Sequence, residues 1–288
     1  MTEPRIFACN WTLFPIMDTV SAARLSAREG FAGIELECDP LGFWPTTVAA
    51  ATIAELAAVG EGEGLAYTVH APDDLNPATA LPDQRTRDDE VFKSLVDLAQ
   101  RLKSPVVGIH PGVVEGLFCL ERKGVPFATE RFNRDELARD ARMRAVESYL
   151  RWADLTAEAG LILTIENEVH VHHSAAPTAE VLADLIEATG RDDIKVNLDT
   201  GHAFIGAGLA EEFAVLRDRI VHIHLNDGRA KGVSEHLPLG EGVADFTPLA
   251  SFMNDFEGAL VLEIYAPNRP LEALLESREH LKGILAAA

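Results

Sequence analysis

The chain has 288 residues, 47% hydrophobic and 25% charged, which is enough apolar material for one full-sized core. Its formal net charge of −21 repels a polyphosphate backbone, arguing against a nucleic-acid partner and for cations or neutral small molecules. Cys9, Cys38 and Cys119 have no CxxC spacing, which argues against a disulfide framework or a thiolate zinc site and fits small buried side chains in a reducing compartment.

Eight short β-like runs alternate with longer segments of helical apolar spacing. The first run, residues 6–11, leads to a helix at 19–28, with Asp18 as its N-cap candidate and Gly30 beyond its end. Strands at 33–38 and 66–71 precede helices at 46–61 and 87–102. A strand at 106–111 runs into an irregular stretch, 111–133, that contains Gly112, Gly116, Gly124 and Pro126 and reads as a functional βα loop able to cover a site. A helix at 134–159 follows, ended by Gly160, and then a strand at 161–166. The helix at 178–189 has Thr178 as its cap and Gly190 at its end. Strands at 194–199, 220–226 and 260–265 alternate with helices at 209–216, 247–255 and 271–286. Most strands are rich in Val, Ile and Leu, as strands covered by helices should be. The expectation is an α/β fold, a single (β/α)8 TIM barrel over residues 1–288. An open doubly wound sheet is disfavoured because no glycine-rich phosphate loop follows the first strand. The N-terminus lacks a signal-peptide pattern and no apolar run reaches bilayer length, so a soluble, cytoplasmic protein without a membrane partner is expected.

Strand after strand ends in an ionisable residue. In order these are Glu35 and Glu37 in GIELE, His70 in TVHAP, His110 in VGIHPG, Glu166 in LTIENE, Asp199 and His202 in VNLDTGH, His222 and His224 in VHIHLND, and Glu263 in LVLEIY. A lone histidine after a strand is usually an ordinary hydrogen-bonded residue. Convergence is different, because aliphatic strands running into Glu166, Asp199, His224 and Glu263 force four such groups together at the C-terminal rim of a barrel. One divalent ion makes that cluster tolerable, and three carboxylates with one imidazole suit Mn²⁺, Mg²⁺, Co²⁺ or Zn²⁺. Of Glu35 and Glu37, one is expected to face the interior and the other a helix or solvent.

These motifs, with HLPLGEG at 236–242, resemble the xylose isomerase-like barrel superfamily across nearly the whole chain. That superfamily holds tagatose and psicose epimerases, sugar isomerases, hydroxypyruvate isomerase, inosose dehydratase and the endonuclease IV type of repair enzyme. The resemblance implies that Glu166, Asp199, His224 and Glu263 are metal ligands, with Glu166 and Glu263 also acting as the acid/base pair. It implies a substrate-binding or second-metal role for His70, His110, His202, His236 and Glu35, and favours Glu35 as the inward member of its pair. The endonuclease branch has an aspartate where this chain has Ser234, so one ligand of a third zinc is missing, and the net charge also disfavours DNA cleavage.

The expected function is thus a divalent-metal-dependent isomerase, epimerase or dehydratase. It would act on a small sugar, keto-sugar or cyclitol by proton abstraction to a metal-stabilised enediolate, with room for a second ion and for a homo-oligomer. The alternatives are a multinuclear zinc hydrolase and a metal- or sugar-binding barrel without turnover. His222 is expected one layer deeper as a hydrogen-bonding support for His224. Trp11, Phe14, Phe43 and Trp44 are candidates for an apolar substrate wall. His170, His172, His173, Arg229 and Lys231 read first as solvated loop residues, and Arg87, Lys93 and Arg101 as a solvated helix face.

Overall fold

Alternation along the strands gives this barrel two faces, an apolar one against the helices and a largely polar one around the axis. The computed structural model describes residues 4–39, 43–115, 134–168, 173–230 and 235–288. Its eight parallel strands close in chain order, β1 pairing with both β2 and β8. The strands are β1 Arg5–Cys9, β2 Gly33–Glu37, β3 Ala66–His70, β4 Val106–Ile109, β5 Ile162–Glu166, β6 Ile194–Asp199, β7 Ile220–Leu225 and β8 Ala259–Leu262. The outer helices are α2 Thr19–Arg28, α3 Ala50–Glu63, α4 Pro82–Arg101, α5 Arg134–Glu158, α6 Ala179–Ala188, α8 Leu209–Leu216, α9 Thr247–Asn254 and α10 Pro270–Ala286. The fold is the predicted single (β/α)8 TIM barrel. None of the described helices is long and apolar enough to cross a membrane.

Local chemistry sets the helix ends as expected. Asp18 accepts a hydrogen bond from Ser21 N at 2.9 Å and Thr178 Oγ1 one from Val181 N at 3.4 Å. Gly30, Gly160 and Gly190 take φ of 78°, 73° and 65° after their helices. Two short helices, α1 Asn10–Leu13 and α7 Thr200–Ile205, were not foreseen, being too short for apolar periodicity to register. Helix α4 starts at Pro82, earlier than expected, because proline suits the first turn.

Along the strands, Ile34 and Leu36, Val107 and Ile109, Leu163 and Ile165, Ile223 and Leu225, and Leu260 and Leu262 pack under the helices in the main core. Their neighbours therefore face the axis, where only a small separate apolar cluster of Phe7, Cys9, Ala259 and Val261 forms. The rest of the interior is polar and buried: Glu35, Glu37, Thr68, His70, Thr164, Glu166, Asn197, Asp199, His222 and His224. Glu35 and Glu37 correct the expectation that only one would point inward. Residues two apart on a strand share a face, and both are buried in the interior, 1% and 5% exposed.

Candidate active site

His224, at the upper end of β7, lies at the centre of the inward set. Its Nδ1 is 3.3 Å from Glu166 Oε2 and 3.1 Å from Glu263 Oε2, while its Nε2 contacts Glu35 Oε1. Strand pairing brings Asp199 opposite His224, and Glu166, Asp199 and His224 each present a ligand atom within 4.8 Å of the others. All four members of the expected quartet, Glu166, Asp199, His224 and Glu263, thus meet at one rim.

The carboxylates are held from behind. Asn197 Nδ2 donates to Glu166 Oε2 at 2.9 Å, and Asn226 Nδ2 donates to Asp199 Oδ2 at 2.6 Å. The His202 backbone N–H donates to Asp199 Oδ1 at 2.6 Å. Gly201 is required by this arrangement, since a Cβ there would lie 1.8 Å from Asn226 Oδ1. Gly108 plays the same part for His70, whose Cδ2 would be 2.5 Å from a Cβ.

Around the quartet, His70 bridges Glu37 Oε2 (3.1 Å from Nδ1) and Glu166 Oε2 (3.3 Å from Nε2). His110 Nε2 is 3.9 Å from Glu166 Oε1, and His70, His110 and Glu166 form a second grouping within 4.8 Å. Asp199, His202 and His236 form a third. His202 Nδ1 lies 3.0 Å from Glu166 Oε1, and His236 Nδ1 lies 3.4 Å from Glu263 Oε2. His236 has φ of 46°, a left-handed conformation uncommon for a non-glycine residue and typical of places where the surroundings dictate the backbone.

Burial and neighbouring charge pull in opposite directions throughout. Burial raises Glu35, Glu166 and Glu263, but the adjoining imidazoles overcome it and hold all three below the usual carboxylate range. Burial dominates at Glu37, pushed up to about 7, and it also raises Asp199. Burial lowers His202, yet Asp199 and Glu166 carry it up to about 10. His70 and His224 are likewise raised well above the ordinary imidazole value by the carboxylates around them, against burial.

The residues fit a divalent cation. His224 Nδ1, His236 Nδ1 and Glu263 Oε2 are buried without a well-formed hydrogen bond, although Glu263 Oε2 lies 3.1 and 3.4 Å from the two nitrogens. Once the two imidazoles give up a proton, atoms at that spacing match neighbouring ligands of an ion whose bonds are about 2.1 Å long. An oxygen-rich donor set with imidazole suits Mn²⁺, Mg²⁺, Co²⁺ or Zn²⁺.

Glu166 and Glu263 of the quartet line a cavity of about 750 Å³ at the C-terminal mouth, a size suited to a small ligand. Its described lining includes Glu37, Asp39, Asp73, Glu168, Glu235 and several histidines, with no lysine or arginine. Trp11 and Tyr265 form one wall, with ring centroids 5.5 Å apart. A cavity of about 880 Å³ at the opposite mouth has a mostly apolar and aromatic lining without converging carboxylates, so it is not the candidate site.

Not every expected residue lies at the cavity. Glu35, with His222 and His224, forms a further grouping whose ligand atoms lie within 4.8 Å of one another, and it does not line the cavity. It lies beneath the quartet, where Oε2 is 2.7 Å from His222 Nε2 and Oε1 contacts His224, because its strand position is one layer deeper than that of Glu37. His222 occupies the supporting layer expected of it. Of the four aromatic wall candidates only Trp11 lines the cavity. Phe43 is buried in the outer core, Trp44 lies under Arg87, and Phe14 is 44% exposed. His173 lines the cavity, whereas Cys119, His170, His172, Lys231, Ser234 and residues 116–133 lie outside the described residues. No strand-end motif marks Asn197, Asn226, Asp227, Asp39, Asp73, Glu168 or Tyr265 as a site residue. The only sequence signal for the asparagines is their repeated position beside strand-end carboxylates and histidines.

The family described as xylose isomerase-like TIM barrel matches residues 23–284. An uncharacterised protein of Methanocaldococcus jannaschii is 25% identical over 223 residues, 75% of this chain and 69% of the relative. The inosose dehydratase of Erwinia tasmaniensis is 29% identical over 163 residues, 48% of this chain, and the match spans only 53% of the dehydratase. Among solved structures, a D-tagatose 3-epimerase-like protein superposes with a TM-score of 0.81 at 21% identity, covering 98% of this chain and 97% of the other, a likeness of fold. With its barrel closed and nearly all its length matched, the chain belongs to the xylose isomerase-like TIM-barrel family.

Proposed function

We propose that this protein is a divalent-metal-dependent isomerase or epimerase, or a dehydratase using the same first step, acting on a small uncharged sugar, keto-sugar or cyclitol. The observation that carries the reading is the convergence of Glu166, Asp199, His224 and Glu263, with Nδ1 of His224 and Oε2 of Glu263 3.1 Å apart without a well-formed hydrogen bond. Those four residues would hold the ion, which when bound would polarise the substrate's oxygens. Glu166 and Glu263 approach the same nitrogen from different strands. Held below the usual carboxylate range, both stay ionised at neutral pH and can accept a proton from a carbon beside a carbonyl. Trp11 and Tyr265 offer an apolar face for the C–H side of a sugar ring, and a described lining without lysine or arginine favours an uncharged substrate.

The test is metal analysis of wild-type, Glu166→Gln and His70→Ala proteins, followed by a ketose and inosose screen. About one ion per chain, lost only in Glu166→Gln, supports the single-metal reading. Glu263→Gln should fold normally and lose turnover by at least about a thousandfold; full activity in that variant removes Glu263 from the chemistry. A multinuclear hydrolase is favoured by the groupings His70–His110–Glu166 and Asp199–His202–His236. Two or more ions, with loss in His70→Ala as well, would select it.

A further inference from the structure

Where the strands end, their last backbone N–H and C=O groups lose the partners that the sheet supplies. At five places on the C-terminal side of the barrel, among the described residues, a single buried side chain takes over both, and Ser104 does the same for Val106 at the start of β4. Asn10, after β1, accepts from Glu37 N at 2.8 Å and donates to Glu37 O at 3.1 Å. Thr12, in α1, accepts from Ile264 N at 3.3 Å and donates to Ile264 O at 2.8 Å. Asn76 makes the same pair with Val113, at 3.0 and 3.2 Å. Asn167, after β5, does so with Asp199, at 2.7 and 3.1 Å, and its amide also reaches Glu212 at 3.3 Å. Thr200, after β6, does so with Asn226, at 3.0 and 2.9 Å.

Only side chains that donate and accept within one small group can serve in this way, namely an amide or a hydroxyl. Asn10, Thr12, Asn167 and Thr200 are each 2% exposed or less. The residues they grip belong to the site or adjoin it. Glu37 and Val113 line the cavity, Asp199 is in the quartet, Ile264 follows Glu263, and Asn226 donates to Asp199. The grip is on backbone, so the carboxylate oxygens are left for their own work while the main chain that carries them is fixed.

We infer that these side chains form a rim of two-point backbone clamps that pre-sets the ligand geometry, with Thr12 the positioning residue for Glu263 and Asn167 and Thr200 those for Asp199. This rests on the metal-site reading above. A residue that only stabilises the fold would change melting without changing ion affinity per folded molecule, whereas a positioning residue changes affinity.

The experiment compares Thr12→Val with Thr12→Ser and Thr200→Val with Thr200→Ser in the full chain, measuring Mn²⁺ affinity by calorimetric titration and melting of the metal-free protein. The valine variants keep the shape and lose the hydroxyl, and the serine variants keep the hydroxyl. The expected result is Mn²⁺ binding weakened about tenfold or more by valine and restored to within about threefold by serine. Where a valine variant does not fold, the alanine variant at the same position takes its place. Valine or alanine variants that bind Mn²⁺ as the wild type does overturn the inference and leave the functional reading standing. A wild-type protein that binds no Mn²⁺, Co²⁺ or Zn²⁺ overturns both.

Discussion

Glu212 is charged in sequence and 1% exposed in the structure, on the inner side of α8. Its carboxyl accepts from Asn167 Nδ2 at 3.3 Å and from Ala207 N at 3.4 Å, and these bonds together with the charge of His202 do not offset its burial. Burial pushes it up to about 7. A carboxyl raised on folding keeps its proton in the folded state, so it favours folding most below the unfolded value near 4.5. That contribution fades as pH climbs to about 7, on the order of 3 kcal/mol in all. Glu212→Gln should flatten the fall in stability between pH 5 and pH 8, read from urea melts at the two values. An unchanged slope would mean that Glu212 is ionised in the fold. Nothing in LAEEFAVL separates Glu212 from Glu211, because helical position alone does not reveal a third element packed against it.

Between elements, the HLPLGEG segment illustrates how one side chain organises a loop. Asp227, just beyond β7, accepts from the backbone N–H groups of Gly228, Gly240, Gly242 and Ala244 at 2.8 to 3.1 Å. Leu237 pairs with Asp227 through the backbone, and the Tyr265 N–H donates to His236 O at 2.6 Å. The loop that presents His236 is thereby tied to β7 and β8. Asp227→Ala leaves these amides without their acceptor and should cost about 3 kcal/mol or more. Amide exchange should quicken first at Gly240, Gly242 and Ala244, and protection equal to wild type at those three would refute the role. HIHLND shows this aspartate in sequence, but only the return of residues 240–244 onto it reveals its work.

At the scale of the whole molecule, a formal net charge of −21 and a buried cluster of carboxylates and imidazoles both favour an added cation. Metal-stripped protein given Mn²⁺ at a hundred times its dissociation constant should gain about 2.7 kcal/mol, a rise in Tm of roughly 4 °C for a chain of this size. Chelation should reverse it. A melting temperature indifferent to Mn²⁺, Co²⁺ and Zn²⁺ would argue that the rim is stabilised by its own ion pairs alone.

The sequence by itself determined the barrel and the strand-end quartet. Period-2 and period-3.6 apolar patterns are local, and a parallel barrel carries every strand's last residue to the same rim. Glu166, Asp199, His224 and Glu263 could therefore be chosen from their place in the chain. Tertiary structure alone decided the depth and partner of each polar group. Glu35 and Glu37 share one face, yet Glu35 supports His224 from below while Glu37 lines the cavity and contacts His70. Asn167 and Thr12 look like ordinary loop and helix residues until neighbouring strands bring Asp199 and Ile264 within hydrogen-bond reach. Such contacts join residues 32 and 252 positions apart, and they depend on register and layer height around a closed sheet, which no local pattern encodes.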